Sequence, residues 1–268
     1  EVAQLTGAFN RMLGNVQGAL KVREASETKL RRFVADASHE LRNPLAAIRG
    51  YSELAARGDG ADSAFALGRI DAESQRMTKL VEDLLLLARL DADAPVEMQP
   101  VDIVAVVLNA VSDARAAGPD HIWHLELPEE GFEVRANADR LHQVIVNLLS
   151  NGLRHASDRE GAVLLLWTQS ATGVLQLWVL DDGPGIPEDR REHLFEPFFT
   201  TETRGTGLGL HLTQELCTAN GATIRYESSA LLGEDIRQRY GAGFVITPQQ
   251  RQVAEAGAAA APFEHGER

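Results

Sequence analysis

Five short stretches of the 268-residue chain hold polar side chains at spacings that packing alone does not call for. The first is Ser38-His39-Glu40-Leu41-Arg42-Asn43-Pro44-Leu45. On a helix turning roughly 100° per residue, Leu30, Phe33, Val34, Ala37, Leu41, Pro44, Ile48 and Tyr51 share one side. His39 points almost directly away from them, among Arg31, Arg32 and Arg42. An exposed imidazole ringed by guanidinium groups reads as a group that meets an anion. A zinc-protease reading of His39-Glu40 fails, because Asn43 stands where a second His is required.

The other four stretches lie beyond residue 140. Asn147 and Asn151 are four apart on one helix face, with Arg154 a turn further. Their amide oxygens are suitable donors to Mg²⁺, a hard ion that prefers oxygen. Asp181-Asp182-Gly183-Pro184-Gly185-Ile186-Pro187 follows an apolar strand, and a carboxylate at that strand end can accept from an exocyclic amine. Phe195-Glu196-Pro197-Phe198-Phe199-Thr200-Thr201 is an aromatic cluster able to anchor a lid. Gly205-Thr206-Gly207-Leu208-Gly209-Leu210 opens a helix, whose first N–H groups and dipole suit phosphate oxygens. No Gly-Lys-Ser/Thr follows, so it is not a Walker loop, and no parallel strand precedes it, so it is not a dinucleotide fingerprint.

The elements that must carry these groups follow from periodicity. Leu5, Phe9, Met12, Val16 and Leu20 form a heptad-like seam over residues 1–25. Gly7, Gly14 and Gly18 weaken it as a lone helix, so a partner strand is expected. Residues 26–57 continue as a helix of roughly 48 Å, with a bend expected after His39 because of Pro44. Gly58-Asp59-Gly60 ends it, and Asp62 or Ser63 is expected to cap a second helix to about Leu90. On that helix the seam is expected at Leu67, Ile70, Ser74, Met77, Val81, Leu84 and Ala88. The hairpin would close into a four-helix bundle in a symmetric dimer. Residues 91–100 read as an acidic, proline-containing linker. Helices are expected at about 102–117, 137–156 and 208–219. Strands are expected at 121–127, 132–136, 162–169, 174–180, 222–228 and 243–247. Such mixing without βαβ alternation predicts a helix layer on a mainly antiparallel sheet. The last twenty residues read as disordered.

Bulk properties narrow the function. A net charge of −13 argues against a nucleic-acid partner, whose phosphates select basic surfaces. The single cysteine, Cys217, excludes an internal disulfide and reads as a small buried side chain. No apolar run reaches transmembrane length. The chain starts without Met inside a helical pattern, which suggests a piece of something longer.

In order and spacing, the five stretches together resemble those of the sensor histidine kinases of bacterial two-component systems. Residues 38–45 are similar to their H box, Asn147 to Arg154 to the N box, and 181–185 to the first glycine box. Phe195–Phe199 resembles the F box and 205–209 the second glycine box. Leu5 to Leu13 resembles the second helix of a HAMP signalling linker.

The resemblance implies the end of a HAMP linker at 1–25, a dimerisation and histidine-phosphotransfer domain at 26–92, and an ATP-binding domain of the Bergerat type at 97–248, with a tail at 249–268. It implies that His39 takes the γ-phosphoryl of ATP with Glu40 as acidic partner, Arg42 steadying the phosphoryl and Asn43 positioning water for phosphatase activity. Asp181 would hold the adenine amine and Asn151 the Mg²⁺, with Asn147 assisting. Arg154 and His155 would reach phosphate or sugar. Gly183, Gly185, Ile186, Phe199, Thr200, Thr201, Gly205, Thr206, Gly207, Leu208 and Gly209 would line the nucleotide. The implied partners are a second copy of the chain and a response-regulator receiver domain, with a membrane reached only through a part outside this chain, on the cytoplasmic side of a bacterial inner membrane. Gly152 replaces the family's usual Ala, and the lid between Phe199 and Gly205 is short. Alternatives are a dimeric scaffold that binds nucleotide without turnover, or a chaperone- or gyrase-like ATPase.

Overall fold

The computed structural model describes residues 2–57, 60–91, 97–119, 121–127, 133–156, 162–169, 175–200, 205–229 and 242–248, together with 232, 234, 236 and 240. The expectations for Gly58-Asp59, Thr201 and the tail fall outside them. The chain divides into two compact units, residues 1–82 with 200–206 and residues 83–199 with 207–268.

The first unit is built on helix α1 (Val2–Arg57) and the greater part of helix α2 (Ala61–Asp91), whose end from Asp83 on falls in the second unit. The two helical stretches expected at the N-terminus are one helix, since nothing between Leu20 and Ser26 breaks the pattern. It runs without interruption through Pro44, which is buried. One missing N–H is a loss that a helix of this length tolerates. The pairing with α2 is antiparallel. Ser63 Oγ donates to the Ala55 carbonyl (3.1 Å), Arg69 Nε to the Tyr51 hydroxyl (3.3 Å), and Arg76 Nη2 to Glu40 Oε2 (3.2 Å). Tyr51 also meets Phe65 edge to face, and the Arg69 guanidinium lies 5.5 Å above its ring.

Three expectations for this unit are corrected. Helix α2 begins at Ala61, ahead of both candidate caps; Asp62 lies in its first turn, and the Ser63 hydroxyl donates to a carbonyl. The buried positions of α2 are Ala66, Leu80 and Leu87, while Leu67 and Val81 of the expected seam are exposed. On α1, Leu30 and Val34 are also exposed, at 61% and 54%. The reason is shared: a bundle helix carries two apolar stripes, and its hairpin neighbour covers only one.

The second unit runs β1 (Gln99–Asp102), α3 (Ile103–Ala117), β2 (Ile122–Glu126), β3 (Glu133–Ala136), α4 (Ala138–His155), β4 (Ala162–Gln169), β5 (Leu175–Asp181), α5 (Glu188–Arg191), α6 (Gly209–Ala219), β6 (Ala222–Ser228) and β7 (Ala242–Pro248). The expected helix layer on a mainly antiparallel sheet is present. The large sheet has the order β2-β4-β5-β7-β6, with only the β2–β4 pair parallel. Strand β1 pairs with β3 in a separate ribbon, so the stretch read as linker already holds structure at its end. Helix α5 was also unexpected in a segment rich in Gly and Pro.

Each long helix of this unit starts where local chemistry dictates. Asp102 accepts from the Val104 and Ala105 N–H groups and caps α3, and Asn137 accepts from the Arg140 N–H and caps α4. Asn220, buried at the end of α6, accepts from the Asn137 N–H at 2.8 Å. Helix α4 packs on α3, α6 and β5, burying Val144, Ile145, Leu148 and Leu149.

The sheet is also covered on its other face. Trp178, Leu180, Val245 and Tyr240 form a buried cluster there, with Ile122, Leu232 and Ile236 packed against it. Leu232, Ile236 and Tyr240 come from the β6–β7 connection. The Tyr240 N–H donates to the Ile236 carbonyl, and Ser229 Oγ donates to the Tyr240 carbonyl. The unbroken apolar run Leu177-Trp178-Val179-Leu180 is the sequence signal for a strand buried on both faces. No helix among the described residues is long and apolar enough to cross a membrane.

Candidate functional site

In the first unit His39 is exposed on α1, as are Arg42 and Asn43, while Glu40 is half-buried. The Ser38 hydroxyl donates to the Val34 carbonyl one turn back. Glu40 faces α2, where Arg76 holds it; the ion pair is mostly shielded, with 20% and 27% side-chain exposure. The same Arg76 Nη2 donates to the Gly205 carbonyl at 3.0 Å. Thus the carboxylate beside His39 has a partner that sequence spacing did not reveal.

The second unit holds Asn147, Asn151, Asp181 to Ile186, Phe195 to Phe199 and Gly207 to Gly209, on α4, at the end of β5 and at the start of α6, while Thr200, Gly205 and Thr206 belong to the first. The two asparagines of α4 differ. Asn147 is buried; its Oδ1 accepts from Gln143 Nε2 (3.0 Å) and its Nδ2 donates to Thr213 Oγ1 (3.4 Å). Thr213 Oγ1 in turn donates to the Gly209 carbonyl (2.7 Å), so Asn147 ties α4 to the first turn of α6. Asn151 is half-buried and its side chain makes no hydrogen bond among the described residues, which leaves its amide able to meet a ligand. Arg154 folds back on its own helix, donating to the Ser150 carbonyl and hydroxyl.

Asp181 ends β5 with its Oδ1 accepting from the Gly183 N–H at 3.0 Å. Burial pushes its carboxyl above the ordinary carboxylate range, partly offset by that N–H and by His155. Gly183 is required sterically, because a Cβ there would come within 2.1 Å of the His155 carbonyl oxygen. The end of α4 and the turn after β5 therefore touch backbone to backbone. Ile186 is half-buried, and its N–H donates to the Tyr226 hydroxyl.

A second close approach joins the aromatic cluster to the glycine-rich helix start. Phe198 holds φ 64° and Gly207 φ 68°, and a Cβ on Gly207 would fall 2.4 Å from the Phe198 carbonyl carbon. Phe195 meets Phe244 edge to face, and its carbonyl accepts from His211 Nδ1 in the fitting tautomer (2.9 Å). Phe199 is half-buried, 6.1 Å from the His193 ring; a hydrogen bond donated by His193 Nδ1 to Glu196 Oε1 raises the His193 pKa. Thr200 is exposed and Thr206 buried. Helix α6 begins at Gly209 with no side-chain cap, so its first N–H groups are left to an anion. Leu208 is fully buried, and only its backbone can serve such a site.

Two family profiles match this chain. Residues 29–93 match the His Kinase A phospho-acceptor domain, and residues 136–252 match the histidine kinase-, DNA gyrase B- and HSP90-like ATPase domain, which implies ATP binding. The chain belongs to the sensor histidine kinases of bacterial two-component systems. It is similar to the probable sensor histidine kinase TcrY of Mycobacterium tuberculosis, 48% identical over 237 residues, covering 85% of this chain and 50% of TcrY. The sensor histidine kinase TrcS of the same organism is 40% identical over 241 residues, covering 85% and 47%. The chain thus spans about half the length of these curated relatives. Among solved structures, the Acinetobacter baumannii histidine kinase AdeS aligns at TM-score 0.55 and 22% identity over 82% of this chain and 98% of its own, which bears on the fold alone. Full-length ShkA in complex with AMPPNP aligns at TM-score 0.52 and 25% identity, covering 85% and 46%.

Within this histidine kinase chain, sequence reasoning missed Arg76, Gln143, Thr213, His211 and Tyr226. Gln143 was legible as a helix neighbour four residues before Asn147. Arg76 and Tyr226 needed the long-range pairing of helices and strands.

Proposed function

We propose that the chain is an ATP-dependent autokinase in which His39 takes the γ-phosphoryl of ATP. The observation that supports it most is the exposed imidazole on α1 beside a carboxylate already oriented by Arg76. A ring nitrogen of His39 attacks the γ-phosphorus, the N–P bond forms, the bond to the β-phosphate oxygen breaks and ADP leaves; the ring proton passes to Glu40. Arg42 supplies positive charge toward the transferring group, and Asn43 orients water for the reverse, phosphatase reaction. Asp181 accepts from the adenine amine, His155 and Arg154 lie toward sugar and phosphates, and the uncapped start of α6 faces the phosphate chain. Gly183, Gly185, Ile186, Phe199, Thr200, Thr201, Gly205, Thr206, Gly207, Leu208 and Gly209 complete the cradle. Mg²⁺, when bound, neutralises phosphate charge, and Asn151 offers it an oxygen while Asn147 holds α6 behind it.

The working species is a homodimer, supported by the exposed apolar stripes of both helices. The phosphoryl then moves to an aspartate of a response-regulator receiver domain, and the chain works on the cytoplasmic side of an inner-membrane receptor. Incubation with γ-labelled ATP and Mg²⁺ should give an acid-labile, base-stable label. His39→Gln should abolish the label while nucleotide still binds; label persisting in that variant refutes the assignment. Wild-type protein that binds nucleotide but never labels would favour a scaffold.

A further inference from the structure

The turn 182–187 carries the glycines of the nucleotide site, yet it has few means of holding itself. Pro184 and Pro187 have no N–H to donate, and Gly185 sits in the left-handed region at φ 69°. Ile186, between them, is secured by side chains from two other elements. Its N–H donates to the Tyr226 hydroxyl of β6 at 2.9 Å, and its carbonyl accepts from Arg191 Nε of α5 at 3.0 Å. The two clamping groups also touch each other, because the Arg191 guanidinium lies 5.6 Å above the Tyr226 ring. Phe244 braces that ring edge to face at 5.4 Å. The hydroxyl also lies against Gly185, 3.3 Å from where a Cβ would stand.

We propose that Tyr226, closed by Arg191, is a positioning residue that holds the Ile186 peptide and thereby sets the turn against which the nucleotide base binds. The proposal rests on the nucleotide site at Asp181 described above. Strand β6 lies at the sheet edge, separated from β5 by β7. A tyrosine there spans the gap to the turn after β5, its hydroxyl reaching the Ile186 N–H. Burial raises the hydroxyl's pKa, partly offset by the Ile186 N–H. Tyr226 touches neither reacting atom; it acts through the turn.

The test uses the whole chain. Tyr226→Phe keeps the ring and removes the acceptor, and Arg191→Gln removes the guanidinium. Both are measured by calorimetry with Mg·ADP and by initial rates of autophosphorylation against ATP. Each variant should raise the nucleotide Kd and the KM for ATP about three- to tenfold, with kcat at saturating ATP held, and the double variant should fall short of the product of the two. Unchanged Kd in either folded variant, or kcat falling at constant KM, overturns the proposal. Wild-type protein that fails to bind Mg·ADP would instead overturn the nucleotide reading on which the proposal depends.

Discussion

The two units solve the problem of burying apolar surface in opposite ways. The α/β unit is covered on both faces of its sheet, by α3, α4 and α6 on one side and by Leu232, Ile236 and Tyr240 on the other. The helical hairpin leaves Phe65 and Leu67 at 60% exposure and Leu85 at 55%. Two antiparallel helices have only one mutual seam, and these exposed apolar side chains lie outside it. The α/β unit thus buries its sheet with its own residues, whereas the helical hairpin keeps large apolar side chains exposed.

The largest effect should come from opening the closed unit. Trp178→Ala removes a side chain at 2% exposure from the outer-face cluster and should cost about 3–5 kcal/mol, read by denaturant unfolding of that unit. The midpoint should not depend on protein concentration; a concentration-dependent midpoint would break the contrast. Next, Leu67→Glu with Val81→Glu should leave helix content nearly unchanged, since both positions are exposed in the single chain. Dimerisation measured by sedimentation should nevertheless weaken at least about tenfold, an energy of ~1.4 kcal/mol or more. An unaltered dimer would mean that this stripe is not the one covered.

The smallest effect concerns Asp181. Its carboxyl is raised by burial, so the ionised form is disfavoured in the folded state, and the penalty is fully present above the folded pKa and fades as pH falls through it. Asp181→Asn should therefore raise the melting temperature of the ligand-free protein slightly at neutral pH while weakening nucleotide binding. The stability gain should vanish in acid, below the carboxyl's ordinary value. A variant less stable than wild type at neutral pH would show that the carboxylate is paid for by contacts other than the Gly183 N–H.

Much of the fold was legible because its signals are local. Every strand of the large sheet was readable within a residue or two, since alternation and apolar runs are properties of five to eight consecutive residues. The starts of α3 and α4 were placed to within a residue by periodicity alone, and the caps Asp102 and Asn137 act within three residues of them. The five polar stretches were visible as short motifs, each with ordinary structural uses of its own, and their order and spacing together carried the family resemblance.

What lay beyond the sequence were choices made between segments far apart along the chain. Periodicity placed an apolar stripe on α2 but could not say whether 66, 80 and 87 or 67 and 81 would face α1, since adjacent positions lie only about 100° apart. Residues 36 apart bring Arg76 to Glu40, and residues 66 apart bring Thr213 to Asn147, leaving Asn151 as the amide without a partner. The cover on the outer sheet face and the grip of Tyr226 on Ile186 likewise depend on strand order. A side chain's type states which contacts it can make; only the assembled chain, with its distant segments in register, decides which of them it makes.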